Sequence, residues 1–173
     1  MSIQHCFDRG SVVDDLTSTD KFDAIREIIR RAPVFREIGG GAGFEEAVIA
    51  RERLQSTGFG HGVAVAHGRA AGVARVLIAM GISRTGIPYD APDDEPVRLL
   101  FVIASPVHVS LDYLQALSTL VRCVRHEEVR ESLLVPCGTA ALETRIRTAF
   151  AAHIGVTDCD DTAGGRQPCG ATG

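Results

Sequence analysis

Several absences bound what this chain can do. It has no basic excess: 18 Lys and Arg stand against 22 Asp and Glu, for a net charge of −4. Neither nucleic acid nor an anionic membrane is held as a main partner without a basic surface, so both are excluded in that role. No stretch approaches the roughly 18–20 apolar residues that span a bilayer. The opening residues, Met1 to Asp8, lack the basic and apolar regions of a signal peptide. The expectation is a cytoplasmic protein that is not membrane-embedded. Cys6, Cys123, Cys137, Cys159 and Cys169 are odd in number and form no Cys-x-x-Cys pair, which reads as reduced thiols rather than zinc or redox chemistry. No lysine follows a glycine loop in Walker fashion and no serine sits in a nucleophile elbow, so ATP is not the expected donor.

What is present suits one globular domain: 173 residues, 45% of them hydrophobic. Phe22, Ile25, Ile28 and Ile29 recur at helical spacing behind the capping candidates Thr19 and Asp20, predicting a helix over 21–31 that ends before Pro33. A loop with Gly39-Gly-Gly41 follows. A second helix over 44–54 would carry Phe44, Ala47, Val48 and Leu54 on one stripe. Val63 to Val65, Val73 to Ala79 and the unbroken Leu99 to Ile103 read as strands of a central sheet. In the helix from Leu111 to Val124, Leu114, Leu117, Val121 and Val124 share a face; shorter helices follow near 127–133 and 139–152. Residues 157–173, rich in Gly, Asp and Thr, cannot offset their own ordering entropy and read as a disordered tail.

The most informative run is Arg51-Glu-Arg-Leu-Gln-Ser-Thr-Gly-Phe-Gly-His-Gly-Val-Ala-Val-Ala-His67-Gly68. It combines an arginine, a glycine-rich turn and a strand-end histidine. A neutral imidazole can attack phosphorus, a guanidinium can hold the incoming oxygens, and glycines let a partner approach the backbone. Histidine, with a reference pKa of about 6.5, is largely neutral and nucleophilic near pH 7. Arg51 falls three residues after Val48 and three before Leu54, within the apolar stripe, where a guanidinium needs an anion or a path to water. His67 and Arg51 are therefore the candidate catalytic residues.

Arg51-Glu52, Ser56-Thr57-Gly58, Gly60, Gly62, Ala64 and His67-Gly68 together resemble the enzyme IIA domain of the fructose/mannitol type, from the bacterial sugar phosphotransferase system, and its nitrogen-regulatory relatives. That family shows Arg-Glu, Ser-Thr-Gly-x-Gly-x-Gly-x-Ala and Pro-His-Gly. The similarity runs from about Val12 to about Ile154 and includes Gly86 to Phe101. It implies an α/β fold: a single domain with a central mixed β-sheet flanked by helices on both faces, spanning 12–156 between an N-terminal extension, 1–11, and the tail.

The resemblance also implies a function. A histidine-containing phosphocarrier protein would phosphorylate His67 at Nε2, and the group would pass to a IIB domain or, in the regulatory branch, control binding to a transporter or kinase; a degenerate IIA-like module that binds a partner without turnover is the other alternative. No metal or organic cofactor is expected, and a homodimer is left open. The chain departs from the family at Ala66, where proline is usual, and at Tyr113, which aligns with a second site histidine; a phenol donates a hydrogen bond but carries no positive charge. Tyr113, Ser56, Thr57, His108 and His61 are the further candidates for phosphate-site support, although a loop histidine is commonly solvated and the hydroxyls suit a turn as well. His61, six residues before His67, could share its strand face, which raises a metal pair as a weaker reading.

Overall fold

The computed structural model describes residues 3–38, 41–108 and 111–155. In chain order the regular elements are β1 (Val12–Val13), α1 (Lys21–Arg31), α2 (Gly41–Leu54), β2 (Gly58–Gly60), β3 (Val63–Arg69), β4 (Leu77–Ile87), β5 (Val97–Ser105), α3 (Leu111–Arg125), α4 (Glu127–Leu134) and α5 (Thr139–Ala152), with short 3₁₀ turns at Ile3–His5 and Pro33–Glu37. The five strands form one mixed sheet in the order β1-β4-β5-β3-β2. β5 lies antiparallel to β4 and parallel to β3, while β2 turns back antiparallel on β3.

Strand alternation divides the core into two layers. Ala64, Ala66, Leu100 and Val102 pack with Ile25, Ile28, Phe44 and Val48 under α1 and α2. Val63, Val65, Phe101 and Ile103 pack on the other face with Leu120, Cys123, Leu133, Ile146 and Phe150 of α3, α4 and α5. Both faces of β5 are thus covered, which explains its unbroken apolar run. The α/β expectation, a single domain with a mixed sheet between helices, matches this architecture.

Local signals account for several boundaries and miss others. α1 has its expected bounds because the Asp20 side chain accepts from the amides of Phe22 and Asp23, capping the first turn. The strand expected at Val73 to Ala79 starts instead at Leu77 and continues to Ile87; Val73 and Val76 are buried, but they lie in the preceding turn region. β1 and β2, too short to show a period, were not expected. α2 begins at Gly41, so that glycine is helical rather than part of a loop; Gly39 and Gly40 lie outside the described residues. Leu54 is 84% exposed, not on the buried stripe. On α3 the buried face is Tyr113, Ala116, Leu120 and Cys123, whereas Leu114 is 51% exposed; of the expected stripe, Val124 alone is fully covered. Ile3, Cys6 and Phe7 are buried in the second core layer, so this part of the expected extension packs with the domain. The expected tail falls outside the described residues.

One close approach fixes α2 on the sheet. A Cβ on Gly68 would stand 2.6 Å from Val48 Cγ2 and 2.9 Å from the Val48 backbone nitrogen. Only a bare α-carbon lets α2 lie this near the end of β3. Gly68→Ala is therefore expected to destabilise the fold by roughly 1–3 kcal/mol, measured as a lower urea midpoint with unchanged slope; an unshifted midpoint would show that the helix tolerates displacement.

Candidate functional site

Alternation along β3 sets the direction of His67. Val63 and Val65 face α3, and so does His67, whose ring centroid lies 6.0 Å from that of Tyr113 on α3. β2 pairs with β3 at Gly58↔Ala64 and Gly60↔Val63, and the Val65 amide still donates to the Thr57 carbonyl at 3.1 Å. Beyond that point β2 and its approach no longer cover β3. There His67 is half-buried and lines a pocket of about 240 Å³ with Arg51, Gln55, Ser56, Thr57, Phe59 and Leu117.

The ring's tautomer follows from the hydrogen bond at Nδ1. His67 Nδ1 lies 3.2 Å from the carbonyl oxygen of Val65. A carbonyl only accepts, so Nδ1 carries the proton and Nε2 keeps its lone pair. Burial pushes the ring's pKa below its ordinary value, and the positive fields of Arg51 and Arg69 act in the same direction; the Val65 hydrogen bond and Glu52 partly oppose them. This direction favours the neutral form of the ring.

Arg51 does not occupy the centre of the buried stripe. Among the described side chains of α2 the buried ones are Phe44, Val48, Ile49 and, one turn beyond Val48, Glu52. Arg51 sits half-buried at the edge, where its Nη1 donates to the Gln55 carbonyl at 3.0 Å, and from there it enters the same pocket as His67.

Ser56 and Thr57 border the pocket with their hydroxyls engaged within the protein. Ser56 Oγ donates to the Tyr89 carbonyl at 2.7 Å and accepts from the Gly58 amide at 3.3 Å. Thr57 gives both its amide, at 3.1 Å, and its hydroxyl to the Glu52 carboxylate. These two residues shape the turn. Glu52 and Tyr89 were not singled out as site residues, although Glu52 stands in the Arg-Glu pair. Glu52 is 2% exposed, with Lys21 Nζ at 3.9 Å and the Tyr89 hydroxyl 3.4 Å from Thr57 Oγ1. A buried acid at an apolar helix position was the available signal.

The remaining candidates fall elsewhere. His61 occupies the β2–β3 turn with φ of 54° and donates its amide to Asp93 at 2.6 Å. It stands at the start of β3 and His67 near its end, roughly 20 Å apart at ~3.3 Å per residue, so the two cannot share a phosphate or a metal. Among the described residues no group of three or more His, Cys, Asp or Glu could hold a metal ion. His108 is exposed three residues past β5, at the same end of the sheet as His67, and does not line the pocket. Tyr113 is 8% exposed and does meet the His67 ring.

A layered domain that presents a histidine where a short neighbouring strand stops has the architecture of a IIA domain. The chain belongs to the family described as phosphoenolpyruvate-dependent sugar phosphotransferase system, EIIA 2, whose model matches residues 5–146. It is 42% identical over 89 residues to the PTS system fructose-specific EIIA component of Haloferax volcanii, covering 51% of this chain and 58% of that one. It is 31% identical over 134 residues to the fructose-specific EIIABC component of Bacillus subtilis, covering 78% of this chain but 21% of that protein. The chain therefore spans only part of these curated relatives. The crystal structure of nitrogen regulatory protein IIA-Ntr from Neisseria meningitidis superposes with a TM-score of 0.74 at 30% identity, covering 86% of this chain and 98% of that one. Among the described residues no helix is long and apolar enough to cross a membrane.

Two measurements check this geometry. In an NMR titration the His67 ring should show a midpoint below the reference value of about 6.5; a midpoint above it would mean that burial and the two arginines do not govern the ring. The sign also carries to stability. Because the folded ring binds its proton at lower pH than the unfolded one, acidification through that window favours the unfolded chain. Glu52→Ala removes the acceptor of two Thr57 donors and should cost about 1–3 kcal/mol, with faster hydrogen exchange at the Thr57 amide; unchanged exchange would remove Glu52 as the anchor of the turn.

Proposed function

We propose that this chain is the phosphoryl carrier of a sugar phosphotransferase system, accepting phosphate on His67 from a histidine-containing phosphocarrier protein and passing it to a IIB domain. The observation that carries this reading is the Nδ1–H···O=C bond to Val65, which leaves the Nε2 lone pair available in a pocket shared with Arg51. Membership of a phosphotransfer family supports it.

The step is an exchange between two imidazoles. The Nε2 lone pair forms the new N–P bond as the donor's N–P bond breaks and its electron pair returns to the donor nitrogen. No net proton transfer is needed, because His67 keeps its Nδ1 proton on the Val65 carbonyl and the donor ring leaves neutral. Catalysis then rests on in-line placement and on stabilising the charge of the moving group, with Arg51 as a bidentate clamp and Tyr113 beside the ring. Phe59, Leu117 and Val121 give the pocket an apolar wall beside the ring.

A regulatory reading is favoured by one specific observation, the match to IIA-Ntr over nearly all of that protein. In that case the same phosphorylation acts as a switch, because up to two added negative charges can reverse an interface complementary to the neutral ring. The partner would be a transporter or kinase in place of a IIB domain.

Incubation with phosphoenolpyruvate, enzyme I and the phosphocarrier tests the proposal. Intact mass should rise by one acid-labile phosphoryl group, and His67→Ala should abolish the gain while His61→Ala and His108→Ala retain it. Arg51→Lys should slow uptake, since a point charge does not reproduce a planar fork. Onward transfer to a IIB domain selects transport over regulation. Absence of uptake by the wild type would leave an inert binding module.

A further inference from the structure

The same face of β3 carries a second guanidinium that none of the motif residues includes. Arg69 follows His67 by two positions, one pleat on, so both side chains leave the strand on the α3 side, roughly 7 Å apart along it at ~3.3 Å per residue. Its main chain is held in register with Ser105 of β5, and the next amide, Ala70, donates to the Ser105 carbonyl at 3.2 Å. The guanidinium carbon stands 5.9 Å from the centroid of the Tyr113 ring, and the His67 ring lies 6.0 Å from that same centroid. The Tyr113 ring therefore neighbours both side chains.

Arg69 is placed but not neutralised. Among the described residues Arg26, Arg30, Arg31 and Arg75 each lie within ion-pair distance of a carboxylate, and Arg69 pairs with none. A cation over an aromatic face is oriented by the ring quadrupole while its donors stay available to an anion. The Tyr113 phenol cannot itself supply positive charge to a phosphoryl group. Arg51 lines the pocket of His67 from α2, and Arg69 stands at the end of β3 beside Tyr113.

Resting on the phosphohistidine reading above, we propose that Arg69, oriented by the ring of Tyr113, is a second phosphoryl-binding guanidinium that donates to the equatorial oxygens of the group carried on His67 Nε2. The moving group would thus be met by guanidinium groups from two elements, α2 and the end of β3. The direction of the His67 shift agrees with this arrangement, because the positive fields of both arginines act on that ring. The ligand is a dianionic phosphoryl group, and the interaction strengthens as charge spreads over its oxygens in transfer.

The test compares wild type, Arg69→Gln, Arg69→Lys and the exposed-arginine control Arg53→Gln in phosphoryl uptake at varied phosphocarrier concentration, with circular dichroism to verify folding. Arg69→Gln should lower kcat roughly tenfold or more with a smaller change in KM, Arg69→Lys should fall between, and Arg53→Gln should match wild type. The His67 titration midpoint should also move up in Arg69→Gln. Wild-type kcat and an unmoved midpoint in a folded Arg69→Gln would overturn the role of Arg69 while leaving phosphorylation of His67 intact. If the wild type takes up no phosphoryl group, the phosphohistidine reading falls and Arg69 falls with it.

Discussion

Between Val65 and His67, two residues of one strand, a backbone carbonyl accepts a hydrogen bond from an imidazole nitrogen at 3.2 Å. That contact decides which nitrogen can act as a nucleophile, and much of the surrounding structure serves to keep it in place. β3 is buried on both faces through Ala66, so the Val65 carbonyl has little freedom. Gly68 admits α2 against the strand end, and the three-residue β2 stops before it can cover the ring. An imidazole anchored by its own strand needs no carboxylate to set its tautomer, which leaves the charge around it to cations.

The polar residues near the site divide by burial into two sets. Glu52, Thr57, Tyr89 and Lys21 form an inner network that ties the end of α2 to the Ser-Thr-Gly turn. Burial and the Glu52 charge raise the Tyr89 phenol well above its ordinary range, so it stays protonated and can donate. The Lys21–Asp90 ion pair, at 2.6 Å with Asp90 78% exposed, is worth about 0–1 kcal/mol; the buried Glu52–Thr57 hydrogen bonds matter more because unmaking them strands donors away from water. Arg51 and Arg69 form the outer set, accessible to solvent and to an anion. The inner set ties the turn to the helix, and the outer set lies toward solvent.

Much of the fold could be read from the chain because its signals are local. Asp20 followed by Phe22, Ile25, Ile28 and Ile29 marks a capped amphipathic helix, and the continuous Leu99 to Ile103 marks a central strand. The misses have physical causes. Val73 and Val76 resemble strand residues by composition, yet they are buried as part of a turn. Leu114 and Leu117 have the spacing of a core stripe, but α3 is rotated so that Tyr113, Ala116 and Leu120 face inward. On α2 the buried polar residue is Glu52, one position beyond the arginine that drew attention. His61 has the right parity but the wrong end of the strand, and parity alone could have pointed to Arg69. His67 and Arg51 are candidates from the run itself as well as from the resemblance, Tyr113 from the resemblance alone, and the structure places all three at one end of the sheet.

The central claim concerns one nitrogen, and NMR of the ¹⁵N-labelled imidazoles addresses it most directly. Before phosphorylation, His67 should appear as the neutral Nδ1–H tautomer, and after incubation with the phosphocarrier system the ring should show phosphorus coupling at Nε2 with Nδ1 still protonated. An Nε2–H tautomer in the resting protein, or phosphorus on Nδ1 or on any other residue, would contradict the account.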